Sequence, residues 1–365
     1  MSHHLLPKFP AITVGELLAD RNNGLTFVRL LLSILVLIAH SYSLGGFGED
    51  KFFYVITRGQ EGSGEVAVKS FMLLSGLLVT ASFERQPLKL YFINRSLRIF
   101  PGYLCSILVI GFLFGPIMAV LSNVDLQTYF STDRNGPWSY VLKNSLLAIR
   151  QTGILNLLDK NPFPHYVAGS HWTIWPEFQG YLVIAICGLL GLLKNFRFLL
   201  VPFTCLYVLS LVAIYNPNAL SSLSDLRRID LGLYLLSGVI LYLNRSKILI
   251  SQRGLLITIL IFILCIILPI YDWIMPFFLG YLLLALTQLL PEYLKKIEKA
   301  GDFSYGIYLY HFPIQQIVSL IGVQQFGFGY YFISTFLLTL PFSILSWHFV
   351  EKPANSLRYL FAPRS

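Results

Sequence analysis

The sequence predicts an all-α fold, a polytopic integral-membrane bundle of about ten transmembrane helices. Three observations predict it. Hydrophobic residues make up 55% of the chain and charged residues only 12%, with a mean hydropathy of +0.66. A soluble domain carries about 25% charged residues, so lipid must be the main solvent here. Apolar runs of spanning length recur from one end to the other, and Lys and Arg gather in alternate loops, as on the cytoplasmic side of membranes.

In chain order the runs lie near 26–44, 64–82, 99–121, 172–193, 198–215, 229–243, 254–270, 273–290, 303–323 and 328–350. The first follows a polar stretch, holds Arg29 and His40, and lacks a small-residue cleavage site, so it reads as a retained span rather than a signal peptide. The sixth is the shortest. With the N-terminus inside, 17 Lys and Arg fall on the inner side and 8 on the outer, while Arg29 and Lys69 lie within spans. Both termini are therefore predicted to be cytoplasmic, with tails over 1–25 and 351–365. The largest loop, 122–171, is then outside. Its Trp138, Val141, Leu142, Leu146, Ala148 and Ile149 recur at helical spacing, which predicts a helix lying in the membrane surface or acting as a lid. Asn161-Pro162-Phe163-Pro164 breaks the chain before the next span. There is no internal repeat, and residues 1–365 read as one transmembrane domain.

The net charge of +9 would suggest nucleic acid in a soluble protein. Here the inner loops account for it, and no nucleic-acid partner is predicted. Cys105, Cys187, Cys205 and Cys265 each lie inside an apolar run, so neither a disulfide framework nor a metal site is expected. No Gly-rich phosphate loop, HExxH or Gly-x-Ser-x-Gly elbow occurs.

Ionisable residues within spans are costly and mark candidate sites. Arg29 and His40 are eleven residues apart, which at ~100° each returns to within about 20° of one helix face and separates them by ~16 Å. Arg29 sits where a snorkelling residue would also sit. His40 is deep and titratable, and reads as functional ahead of a satisfied core histidine. Glu177 enters its span from outside to about the depth of His40, where a carboxylate could orient an imidazole and stabilise its cation. It would equally suit the dipole of a helix N-terminus after Pro176. His311 lies mid-span and reads first as a hydrogen-bonded core histidine. Arg95 and Arg98 share a helix face at the inner mouth, as a phosphate site or as a cytoplasmic anchor.

Six segments, in order, carry a resemblance. They are Arg29-x10-His40 within Gly24-Leu25-Thr26-Phe27-Val28-Arg29; Glu65 to Val68 with Phe71-Met72-Leu73-Leu74-Ser75-Gly76; Arg95-Ser96-Leu97-Arg98-Ile99-Phe100-Pro101; Trp172-Thr173-Ile174-Trp175-Pro176-Glu177-Phe178; Ser304-Tyr305-Gly306-Ile307-Tyr308-Leu309-Tyr310-His311; and Val350-Glu351-Lys352-Pro353. Each alone is weak, but the ordered set is specific, and the chain resembles the acyltransferase 3 family of integral-membrane O-acyltransferases.

The resemblance implies about ten helices in the bacterial cytoplasmic (inner) membrane. It implies transfer of an acyl group, usually acetyl, from cytoplasmic acetyl-CoA to a hydroxyl of an outer-facing acceptor. That acceptor is a sugar of a surface polysaccharide such as O-antigen in lipopolysaccharide, or its lipid-linked precursor. Catalysis then falls to His40 and Glu177, and donor binding to Arg29, Arg95 and Arg98. Ser75, Trp172, Tyr305 and His311 are substrate or structural candidates. Some relatives carry a C-terminal SGNH-type hydrolase domain. This chain ends about fifteen residues past its last span, so that domain is expected to be absent, and a second transfer step would need a separate periplasmic partner. The competing classes are a transporter or flippase for a polar lipid-linked substrate, which predicts inverted repeats, and a membrane scaffold, which leaves His40 unexplained.

Overall fold

The computed structural model describes residues 9–216 and 227–361. The first eight residues of the expected N-terminal tail and the last four of the C-terminal one lie outside the described residues. In chain order the helices are α1 (Val14–Ala19), α2 (Leu25–Leu44), α3 (Lys51–Ile56), α4 (Ser63–Arg85), α5 (Leu88–Val109), α6 (Gly115–Leu121), α7 (Leu126–Ser131), α8 (Pro137–Asn144), α9 (Ile174–Leu189) and α10 (Leu200–Tyr215). They continue with α11 (Arg227–Leu243), α12 (Gln252–Ile267), α13 (Tyr271–Thr287), α14 (Glu292–Lys295), α15 (Ser304–Ile321), α16 (Phe328–Leu345) and α17 (Lys352–Ser356). Two residues each of β1 (Ile12–Thr13) and β2 (Leu249–Ile250) form an antiparallel pair. Two π-helical turns interrupt long helices, Ile110–Phe114 between α5 and α6 and Ser346–Glu351 between α16 and α17.

The class is helical as expected. Among the described residues five helices are long and apolar enough to cross a membrane: Leu25–Leu44, Ser63–Arg85, Leu88–Leu121, Phe196–Tyr215 and Phe328–Leu360. Gln252–Ile267 and Tyr271–Thr287 are apolar but shorter. The other expected spans correspond to α9, α11 and α15, which are short or carry polar residues. Side chains such as Val201 (71% exposed), Ile257 (57%) and Leu337 (58%) stand outward from α10, α12 and α16, as lipid-facing residues do.

The chain forms two compact units that interleave in sequence. Unit 1 comprises Met1–Leu32, Tyr54–Leu88 and Pro176–Ala300; unit 2 comprises Ser33–Phe53, Lys89–Trp175 and Gly301–Ser365.

In unit 1, α4 packs along α11 at backbone distance. A Cβ on Gly76 would strike the Leu235 carbonyl, and one on Gly238 would strike the Leu73 carbonyl, so only glycine permits the approach. The expected N-terminal tail is partly folded. Thr13 and Glu16 form a capping box at the start of α1, and the Val14 and Gly15 amides donate to Ile248 and Arg245 carbonyls.

In unit 2, α15 is enclosed by its neighbours, with His311, Gln315 and Gln316 fully buried. The loop over 122–171 contains α7, capped by Asp125, and α8. The helix expected through Ile149 stops at Asn144. There the Asn144 Oδ1 accepts from the Arg150 and Gln151 amides and its Nδ2 donates to the Gln151 carbonyl, so the side chain replaces the next turn.

Candidate active site

His40 on α2 and His311 on α15 meet in unit 2, with His40 Nδ1 2.9 Å from His311 Nε2. The tautomers follow from the partners. His311 Nδ1 lies 3.0 Å from the Ile307 carbonyl, which only accepts, so that nitrogen carries the proton. Neutral His311 then offers Nε2 as an acceptor, and His40 must donate from Nδ1. The lone pair of His40 is left on Nε2. The rings stack with centroids 5.1 Å apart, and Phe312 meets His40 edge-on at 5.1 Å. An oriented imidazole with one nitrogen's lone pair left over can act as general base or nucleophile.

The register of α2 on α15 comes from a polar stripe at i, i+4, i+8: His311, Gln315 and Ser319. Gln315 Nε2 donates to the Leu37 carbonyl (2.9 Å) and to Ser41 Oγ (2.8 Å), and Ser319 Oγ donates to the Leu44 carbonyl (2.7 Å). The stripe is readable in the sequence as helical spacing of polar residues in an apolar helix, yet only His311 is singled out there. The turn Gly169–Thr173 braces the other side. His171 Nε2 donates to the Leu309 carbonyl (3.0 Å), and Tyr308 Oη donates to the Ser170 carbonyl (2.7 Å). Trp172 belongs to this turn.

The sequence expects a carboxylate, Glu177, to orient His40; within unit 2, the partner of His40 Nδ1 is the His311 imidazole. In unit 1, Glu177 Oε1 accepts from Ser75 Oγ (2.9 Å) and Tyr181 Oη (2.6 Å), which joins two of the expected site residues and adds Tyr181.

Arg98 of α5 has its charge answered within unit 2. Its Nη2 is 2.7 Å from Asp302 and its Nη1 is 3.6 Å from Glu351, with Tyr305 beneath the guanidinium at 5.6 Å. Tyr305 Oη donates to the Ile99 carbonyl (3.0 Å), and Ser346 Oγ holds Glu351 (2.9 Å). Sequence reasoning misses Asp302 and the task of Glu351, although Glu351 lies in one of the quoted segments. Arg95 is one turn earlier on α5, and Arg29 shares the unbroken helix α2 with His40. Arg98→Ala is expected to lower stability by about 3–5 kcal/mol, since two buried carboxylates lose their counter-charge. Wild-type melting of Arg98→Ala in detergent counts against the clamp.

Unit 1 also holds a buried charge cluster. Lys69 of α4 bonds Glu61 and lies 3.4 Å from Asp272 and 3.6 Å from Asp230. Among the described residues no group of His, Cys, Asp and Glu is arranged to hold a metal ion.

The chain matches the acyltransferase 3 family model, an acyltransferase domain, over residues 22–348. It is similar to an O-acetyl transferase of Shigella phage Sf6, 28% identical over 346 residues that cover 91% of this chain and 96% of the phage protein. No solved structure matches it. The matched region is most of a helical chain with membrane-length apolar spans, and it takes in His40, Arg98, Glu177 and His311; the protein belongs to the acyltransferase 3 family.

Proposed function

We propose that the protein is a membrane O-acyltransferase of the bacterial cytoplasmic membrane, with about ten spans and both termini inside. It moves an acetyl group from cytoplasmic acetyl-CoA to a hydroxyl of an extracytoplasmic glycan, either a surface polysaccharide or its lipid-linked precursor. The observation that carries this reading is the His40–His311 pair, in which the hydrogen bonds leave the lone pair of His40 on Nε2. The family membership and the phage relative's name support the acetyl group and the oxygen acceptor, and the 17-to-8 division of Lys and Arg supports the orientation.

In this mechanism His40 Nε2 takes the proton of the acceptor hydroxyl as its oxygen attacks the thioester carbonyl. A C–O bond forms, the C–S bond breaks, and the thiolate of CoA leaves with the proton returned by the imidazolium. His311 accepts from Nδ1–H throughout and stabilises the transient cation. Arg95, one turn before Arg98 on α5, holds the phosphates of the donor by charge-assisted hydrogen bonds. Arg98 fixes the α5 end of that site through Asp302 and Glu351.

The test is purified protein in nanodiscs with acetyl-labelled acetyl-CoA and a lipid-linked glycan. Labelled glycan and free CoA should appear in equal amounts. Movement of the glycan across the bilayer without CoA release overturns the reading in favour of a transporter.

A further inference from the structure

The loop over 122–171, in unit 2, contains a polar pocket of about 270 Å³ that the acyl-transfer chemistry does not use. Lys143, Arg150, His165, Asn135, Gln151 and Thr152 line it. Among the described residues neither Lys143 nor Arg150 has an ion-pair partner, and both are exposed. The acidic neighbour is Asp159, 3.7 Å from His165 Nδ1. Eight of the 27 Lys and Arg fall on the outer side of the predicted topology, and two of those eight share this pocket. Positive charge is sparse on that side of a membrane protein, which makes the pairing informative.

The walls are built rather than incidental. Gln151 Nε2 donates to the Gly153 carbonyl (2.9 Å) while its Oε1 accepts from Ser139 (2.7 Å). The Leu155 amide donates to the Asn135 carbonyl (2.8 Å), and the Val167 amide to the Thr152 carbonyl (2.9 Å). Asn135 (φ 60°), Leu155 (φ 48°) and His165 (φ 72°) all hold left-handed backbone, which non-glycine residues keep only where their surroundings impose it.

Position supplies the rest. On α8 and just beyond it, Trp138 (58% exposed), Leu142 (74%) and Leu146 (61%) stand outward beside Lys143. Apolar side chains alternating with Lys on a short surface helix, with a Trp among them, seat it at the headgroup level of a bilayer. The pocket is smaller than the ~300–1,000 Å³ that holds a whole drug-sized ligand, so it suits a headgroup and not a glycan chain.

We propose that this pocket binds the phosphate or diphosphate ester at the head of a membrane-anchored ligand on the outer face. Lys143 and Arg150 contact the phosphate oxygens, and Asn135 and Thr152 supply neutral hydrogen bonds. The inference deepens the proposed function and rests on its orientation: a lipid-linked acceptor would be moored by its phosphate while its sugar reaches the transfer site.

Binding itself tests it, independently of turnover. The full chain in neutral phosphatidylcholine nanodiscs is titrated calorimetrically with a short polyprenyl diphosphate, with the corresponding polyprenol as phosphate-free control. The expected result is saturable binding of the diphosphate only, weakened at least about tenfold in Lys143→Gln/Arg150→Gln, with thermal melting unchanged. Lys143→Arg/Arg150→Lys should retain most of the affinity. Adding phosphatidylglycerol distinguishes the sources: competition means that the pocket takes phosphate headgroups in general, and no competition means that it selects the polyprenyl diphosphate. Equal binding to wild type and the Gln variant, or equal binding of the polyprenol, overturns the proposal and leaves the acyl-transfer reading untouched.

Discussion

His40→Ala is expected to abolish acyl transfer at matched protein levels, a loss of about 10²–10⁴-fold from the missing base. Melting should stay near wild type, because the stripe of Gln315 and Ser319 still fixes α2 on α15. His311 acts through His40 and so is a positioning residue. His311→Leu removes the acceptor for Nδ1–H and is expected to cost about tenfold or more. His311→Gln keeps an oxygen that can accept the proton and should recover part of the rate. The pH profile separates positioning from mere packing. The base works only when neutral, so wild-type activity should fall as pH drops through the titration of the pair, and the His311 variants should shift that limb. Near-normal turnover by His40→Ala or His40→Gln in the reconstituted assay sinks the assignment and moves the chemistry elsewhere.

The largest expected effect on stability is at Lys69. Its ammonium answers Glu61, Asp230 and Asp272, and the side chain is 9% exposed. Lys69→Met fits the volume but leaves three carboxylates facing one another with no cation among them. Removing one partner from a buried ion pair costs about 3–5 kcal/mol, and here more than one pair is lost. The expected result is a sharp fall in melting temperature and in the yield of folded protein. Adding Glu61→Gln to Lys69→Met should recover part of the loss by removing one of the stranded charges. A single variant that melts like wild type means that protonation already neutralises the cluster.

The helical class, and the place of His40 as a titratable residue on an apolar helix, were legible in the sequence because both are local. Hydropathy and an eleven-residue spacing are read along one helix. Charge inside a span is just as local, yet the rule that marks Arg29, His40, Glu177 and His311 applies equally to Lys69, whose place in a span is plain in the sequence. What was not legible is pairing across the chain. Arg98 and Asp302 are 204 residues apart, and His40 and His311 are 271 apart. Nothing in either neighbourhood says which partner each will meet. The same limit explains Glu177, whose depth was readable and whose bonds to Ser75 and Tyr181 were not.

The wide turn over Ser346–Glu351 ends at the carboxylate that faces Arg98. A π-helical turn holds one more residue than the α-helical turn it replaces. That extra residue is absorbed within the turn, so the winding resumes on either side and the chain beyond keeps its course. What the wide turn changes is which side chains meet: Ser346 and Glu351 are five residues apart, and the serine hydroxyl reaches the carboxylate at 2.9 Å. A residue removed here would leave a regular helix behind it but would end that five-residue pairing, and with it the hold on the carboxylate that faces Arg98.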